Sequence, residues 1–210
     1  YDIALFNADT QEKIPVSIAK YPDQKVDISY SSTPGYVFFI RRSRPADYID
    51  LCRLDIHTGK VEELISEHCA PHMNIQLFKY HLINDGKEII WWSERNGKGQ
   101  YFLYNNGNLK NAITPPDMVA GTIMKLDTLN RTIIVEGYGR EKGINPHYRF
   151  FYKVNLDGKG FTLLTPGNGT HSIDLSPDGK YLIDNYSRMD MPTASQLIKI
   201  ASPKKNTVLE

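Results

Sequence analysis

The 210-residue sequence has only two cysteines, no long apolar run and no excess of charge of either sign. Each shortage excludes a class of protein. Two cysteines, Cys52 and Cys69, cannot form the multi-bridge framework that holds small secreted domains together. Cys52 alternates with Leu51 and Arg53 in a strand-like run, so a buried free thiol is expected there. A membrane-crossing helix needs about 20 successive apolar residues, so no membrane span is expected. Lys and Arg total 25 against 24 Asp and Glu, a balance that argues against a general grip on nucleic acid or anionic lipid. No leader pattern precedes the first strand. The first residue is Tyr1 rather than Met, which reads as a processed or cut chain.

Catalytic signatures are missing too. No Gly-x-Ser-x-Gly occurs, so the strand-to-helix elbow that presents the nucleophile of an α/β-hydrolase is absent. No glycine-rich loop of the phosphate- or dinucleotide-cradling kind occurs either. The expectation is a chain inactive by itself, with no catalytic, cofactor-binding or metal-ligating residues and no cofactor. His68, Cys69 and His72 have a spacing that a metal could use. A metal site needs three or four convergent ligands held by supporting hydrogen bonds. Pro71 and the loop-like setting argue against a preset site, so an inter-blade loop is expected. Three Asn-x-Ser/Thr triplets, at Asn130, Asn168 and Asn185, match the glycosylation sequon, a pattern too short to carry weight.

What the sequence does contain is a repeat. Tyrosine occurs 13 times and β-branched residues are frequent, both suited to half-buried strands. Asp85-Gly86, Asn96-Gly97, Asn106-Gly107, Asp157-Gly158 and Asp178-Gly179 lie between apolar or alternating runs, as two-residue hairpin turns require. Leu64-Ile65, Ile113-Thr114 and Leu164-Thr165 each close a short strand, spaced by 49 and then 51 residues. A turn glycine precedes each: Gly59, Gly107 and Gly158. No segment keeps helical periodicity. Units of about four short strands in 40–50 residues are the size of a propeller blade. The fold class expected is all-β, a partial β-propeller of four four-stranded antiparallel blades near 36–66, 74–115, 122–166 and 170–210. Within residues 1–35, Ile14 to Ile18 and Val26 to Tyr30 are expected as strands left over from a preceding blade. A stacked sandwich competes, and the regular period favours the propeller.

Three segments invite a functional reading. Trp91 and Trp92 are adjacent, so in a strand one should pack between blades and the other on the opposite face. Gly139-Arg140-Glu141-Lys142-Gly143 is a polar loop, expected as a solvated hairpin. His171 opens a strand and is expected to hold a neighbouring blade by a hydrogen bond rather than to catalyse.

In combination these segments resemble the propeller of bacterial dipeptidyl peptidase IV-like enzymes. The matching stretches are Tyr36 to Arg44, Ile90 to Gly97, Gly139 to Lys142, Asn155 to Gly158 with Leu163 to Pro166, and His171 to Tyr181 continuing through Asp184 to Arg188. The resemblance covers about residues 25–210. It implies an eight-bladed propeller fused to an α/β-hydrolase domain, with this chain as roughly the second half of the propeller, ending at Leu209-Glu210. It implies a parent that removes dipeptides from peptide N-termini with a Ser-Asp-His triad in the hydrolase domain, and a secreted or periplasmic location. The family's paired glutamates lie on an earlier blade. Glu62-Glu63, the one adjacent pair here, follows Thr58-Gly59-Lys60 in a blade strand, so the role is not carried over. The family's aromatic-arginine pair has no clear counterpart near Asn74 to Lys79.

The expected function is therefore that of a non-catalytic propeller fragment gating peptide access to an active site. Its expected partners are the hydrolase domain of the same parent, the parent's peptide substrates and, through open propeller edges, further copies of itself. The alternative is a free-standing propeller interaction module, since propellers host many functions.

Overall fold

A computed structural model describes residues 2–29 and 33–209. A short hairpin, β1 (Leu5–Phe6) and β2 (Lys13–Ile14), comes first. Four sheets follow. The first holds β3 (Lys25–Ser29), β4 (Tyr36–Arg42), β5 (Tyr48–Asp55) and β6 (Val61–His68). The second holds β7 (Tyr80–Ile83), β8 (Glu88–Ser93), β9 (Gln100–Asn105) and β10 (Asn108–Ala112). The third holds β11 (Val119–Asp127), β12 (Thr132–Tyr138), β13 (Arg149–Asn155) and β14 (Thr162–Leu163). The fourth holds β15 (Thr170–Leu175), β16 (Tyr181–Arg188), β17 (Met191–Lys199) and β18 (Asn206–Leu209). Each four-stranded sheet is an antiparallel meander in chain order, the form of a propeller blade, and the fold is a partial β-propeller. No helix among the described residues is long and apolar enough to cross a membrane.

The chain divides into two compact units, residues 1–95 with 103–110 and residues 96–102 with 111–210. In the first unit, the start of the repeat differs from the sequence expectation. Lys25 to Ser29 does not belong to a preceding blade: it pairs residue for residue with Arg42 to Phe38 and is the first strand of the first sheet. Its polar residues hid the assignment, because only Val26 and Ser29 are half-buried along it. The end of that expected strand, Tyr30, lies outside the described residues, as does Glu210. The expected strand Ile14 to Ile18 stops at Ile14, because Pro15 has no N–H to donate to a ladder. Ile18 is nonetheless buried, packed with Phe39, Cys52 and Leu54 against the first sheet.

Burial follows strand position. All six residues of β8 and the first five of β9 are buried, as they must be in strands covered on both faces. The outer strands β10 and β18 are almost wholly exposed. In the second unit, Ile134, Phe151 and Leu164 of the third sheet interlock with Ile173, Leu182, Ile198 and Ile200 of the fourth. Each such side chain contributes about 1.5–3 kcal/mol by leaving water.

The repeating turn glycine has a structural cause. Gly59, Gly107 and Gly158 all have positive φ, and a Cβ on each would lie 2.1, 2.7 and 2.6 Å from a backbone carbonyl oxygen, of Pro15, Leu64 and Ala112 respectively. In each case that carbonyl belongs to the close of the preceding repeat. The turn therefore presses bare backbone onto bare backbone, and a side chain has no room.

Candidate functional site

Within the first unit, three connections gather at one end of the sheets. Cys69 N–H donates to the Asp47 carbonyl at 2.7 Å and Met73 N–H to the Ala46 carbonyl at 3.0 Å, so the β6–β7 segment is tied to the β4–β5 loop. Asn74 N–H donates to Glu94 at 2.9 Å, which brings in the end of β8. Asn74 also caps its own turn, its Oδ1 accepting from Gln76 N–H at 3.2 Å. The result is a concavity of about 580 Å³ floored by buried Met73 and Ala46, with His72, Asn74, Gln76 and Glu94 on its wall.

Two buried carboxylates brace this end. Glu67, at the end of β6, accepts from Trp91 Nε1 at 2.6 Å, from Arg95 Nη2 at 2.7 Å, from Ser93 Oγ and from Cys69 Sγ at 3.3 Å. Arg95 Nη2 also reaches Tyr104 Oη at 2.7 Å. Burial works against the Arg95 charge, but Glu67 and Tyr104 outweigh it and hold the guanidinium above its usual range. Asp50, fully buried in β5, accepts from Arg41 Nε at 2.9 Å, Ser66 Oγ at 2.7 Å, Tyr21 Oη at 3.0 Å and Lys20 Nζ at 3.2 Å. Glu63 joins this group through Arg41 at 2.8 Å and Lys20 at 2.7 Å. Burial alone would lower the Lys20 pKa, and its bonds to Glu63, Tyr21 and Asp50 raise it instead. Buried charges are tolerated only when paired in this way.

The residues singled out in the sequence fall as follows. Trp91 and Trp92 are both fully buried, and Trp91 meets the Phe78 ring edge-on at 4.8 Å. His68, Cys69 and His72 do not converge: His68 stacks on Tyr48 at 4.4 Å, Cys69 turns to Glu67, and His72 faces the concavity. Among the described residues no three His, Cys, Asp or Glu side chains are grouped to hold a metal. Cys52 and Cys69 are free thiols. Glu62 and Glu63 face opposite ways, Glu62 to Arg53 at 2.5 Å and Glu63 into the Asp50 group.

Two segments of the second unit bear on the expectations. His171 is hydrogen-bonded to the neighbouring sheet, its backbone carbonyl accepting from Arg149 Nε of β13 at 2.7 Å. Its Nδ1 lies 2.9 and 3.0 Å from the two oxygens of Asp184 on the adjacent strand of its own sheet. Its ring also meets the neighbouring sheet, with Phe150 at 4.9 Å. Gln196 Nε2 donates to the same Asp184 at 2.7 Å. The pair has the carboxylate and imidazole of a catalytic relay, but Nε2 faces the Gly167 carbonyl at 3.3 Å and the ring is fully buried, so no substrate reaches it. The Gly139–Gly143 loop is not simply solvated: Arg140 pairs with Asp117 and lies over the Phe161 ring at 4.8 Å, while Glu141 accepts from Tyr152 Oη at 2.9 Å. Burial, and after it that bond, raise the Tyr152 pKa.

The bracing carboxylates were not legible in the sequence. Alternation along β6 puts Glu67 on the face of Val61 and Glu63, but the register shifts between Leu51 and Cys52, whose partners are Ile65 and Glu63, leaving Leu64 as an extra residue. This bulge reverses the faces beyond it and turns Glu67 inward.

This end of the first unit thus holds a concavity that mixes apolar lining from Pro45, Pro71 and Ile75 with the polar side chains of His72, Asn74, Gln76 and Glu94. The family described as "Dipeptidyl peptidase IV (DPP IV) N-terminal region" matches residues 8–193. Two solved structures share the fold. Porphyromonas gingivalis dipeptidyl peptidase 4 is 18% identical with a TM-score of 0.76, over 99% of this chain and 29% of that one. A putative dipeptidyl aminopeptidase IV from Bacteroides ovatus is 21% identical with a TM-score of 0.69, over 98% of this chain and 32% of that one. This chain thus spans less than a third of the length of either protein.

Proposed function

This chain belongs to the family of dipeptidyl peptidase IV N-terminal regions, and on that premise we propose that it is the non-catalytic propeller segment of a serine-type dipeptidyl peptidase, gating peptide access to an active site carried elsewhere in the parent polypeptide. The observation that carries the reading is the family match over residues 8–193 in a chain with no Gly-x-Ser-x-Gly. The gate acts by shape. Sheets braced by buried Asp50 and Glu67 make a wall that does not yield to a folded protein, while a short extended peptide can pass it. Asn74 and Gln76 at the concavity present amide donors and acceptors that match the backbone groups of such a peptide.

In this reading an α/β-hydrolase domain of the same parent supplies the serine, aspartate and histidine, and the parent is secreted or periplasmic. Alone, the chain associates through open edges such as β18, all four residues of which are exposed. The isolated 210-residue chain should hydrolyse no Xaa-Pro chromogenic substrate. Turnover that disappears when a serine of this chain is substituted would overturn the non-catalytic role. The gating role is tested in the parent: it should cleave a short peptide and spare the same N-terminal sequence on a folded protein, and equal kcat/KM for both would refute it. A coding sequence that stops near residue 210 would make the chain a free-standing interaction propeller instead.

A further inference from the structure

The third and fourth sheets enclose a cavity of about 250 Å³ at their turn end. Strand register places Lys125, Ile134 and Lys153 in one row across β11, β12 and β13. Side chains in such a row share a face of the sheet, and adjacent strands lie about 4.8 Å apart. Two lysines therefore flank one buried isoleucine, and Ile200 of the fourth sheet completes an apolar floor. The roof is the Ser176–Lys180 turn between β15 and β16. Gly179 in that turn has a φ of +68°, and a Cβ there would lie 1.7 Å from Lys125 Nζ, so the missing side chain is what admits the ammonium. Lys180 adds a third ammonium from the turn itself, 3.5 Å from the Asp178 carboxylate.

The side chains of Lys125 and Lys153 make no ion pair or hydrogen bond among the described residues, and Lys125 acts only at longer range on Asp127. Lys125 and Lys153 are half-buried residues beside an apolar floor, a setting that suits an acceptor, while Lys180 is exposed. The carboxylates of the lining accept bonds from the chain and keep lone pairs for a further donor. Asp127 accepts from the side-chain and backbone amides of Asn130, both at 2.9 Å, and Asp178 accepts from Lys180 N–H at 3.0 Å and Ser176 Oγ at 2.7 Å. These bonds hold both acids below the usual carboxylate range, so they stay ionised. The cavity thus has cationic groups, anionic groups and an apolar floor. A bare anion is repelled by the aspartates, and a neutral apolar molecule leaves the lysines unanswered. Its volume is below that of sites for drug-sized ligands, roughly 300–1,000 Å³.

We infer that this cavity binds a small zwitterion with an apolar body, the chemistry shared by a free α-amino acid and a dipeptide. The ligand carboxylate lies between Lys125 and Lys153, the apolar side chain rests on Ile134 and Ile200, and the ammonium turns to Asp178. The site lies in the second unit, separate from the concavity described above, and does not depend on the peptidase reading.

Titration calorimetry of the 210-residue chain tests this with four probes: L-leucine, L-alanyl-L-leucine, N-acetyl-L-leucine, which lacks the ammonium, and L-leucinamide, which lacks the carboxylate. Leucine or the dipeptide should bind with a Kd of about 1 mM or tighter, the stronger of the two identifying the source, and each blocked probe should bind about tenfold more weakly. Lys125→Met with Lys153→Met should remove binding without lowering the melting temperature. The Lys125→Gln, Lys153→Gln pair gives the same readout should the methionine pair fail to fold. The inference is overturned by no binding of either zwitterion up to about 20 mM, by binding that survives the double substitution in a folded protein, or by N-acetyl-leucine binding as tightly as leucine.

Discussion

Trp91 Nε1 donates to Glu67 Oε2 at 2.6 Å, so a fully buried indole of the second sheet is bonded to a buried carboxylate of the first. Removing Glu67 takes an acceptor from both Arg95 and Trp91. Breaking a buried pair by deleting one partner costs about 3–5 kcal/mol. Glu67→Ala should therefore lower the melting temperature by roughly 10 °C, taking about 2–4 °C per kcal/mol for a domain of this size. Glu67→Gln keeps an acceptor oxygen and should cost less. Calorimetry of both decides it, and equal melting of Glu67→Ala and the parent chain would show that Glu67 braces nothing.

Gly107 and Gly97 both have positive φ, +77° and +82°, but only Gly107 presses on backbone: a Cβ there would lie 2.7 Å from the Leu64 carbonyl oxygen, whereas at Gly97 nothing lies within 4 Å. Alanine at Gly97 pays for the left-handed conformation alone, about 1 kcal/mol. Alanine at Gly107 must also displace the Leu64 strand, and about 2–3 kcal/mol in total is expected. Denaturant melts of the two variants separate conformational strain from close approach.

Burial pushes the Cys52 thiol up to about 12, and Cys69 also rises to about 12, through burial and then the adjacent Glu67. Reaction requires thiolate. Neither cysteine should react with a disulfide reagent at pH 8 in the folded protein, and both should react on unfolding. Glu67→Gln should speed Cys69 more than Cys52. Prompt labelling of Cys52 in the native state would contradict its burial.

His81 is held below the usual histidine range, first by burial and then by Lys79. The unfolded chain therefore takes up this proton before the folded one. Its contribution to stability is complete above the unfolded pKa of about 6.5 and is lost as pH falls toward the lower folded value. Between pH 7.5 and 5.5 the parent chain should lose more melting temperature than His81→Gln. Identical losses would show that His81 does not couple folding to pH in this window.

The repeat was legible because turn chemistry is local. Gly107 and Gly158 announce themselves by their neighbours Asn106 and Asp157, and the buried runs of β8 and β9 announce covered strands by composition alone. The wall around the concavity was not legible. Glu67 sits on the wrong face by alternation until the extra residue at Leu64 is known, and nothing near Asp50 in the chain points to Lys20 or Tyr21, about thirty residues earlier. His171 stands out at the start of a strand, but its partner Asp184 is chosen by strand register.

The sequence by itself determined an all-β chain of repeating four-stranded units, its turn positions and its family, because periodicity and hairpin chemistry act between residues close in the chain. Which unit claims the strand at Lys25–Ser29, which acids turn inward, and how Lys125, Lys153 and Lys180 come to surround one cavity were decided by tertiary structure. These depend on register, bulges and sheet-on-sheet contact, where residues far apart in the chain share the cost of burying charge.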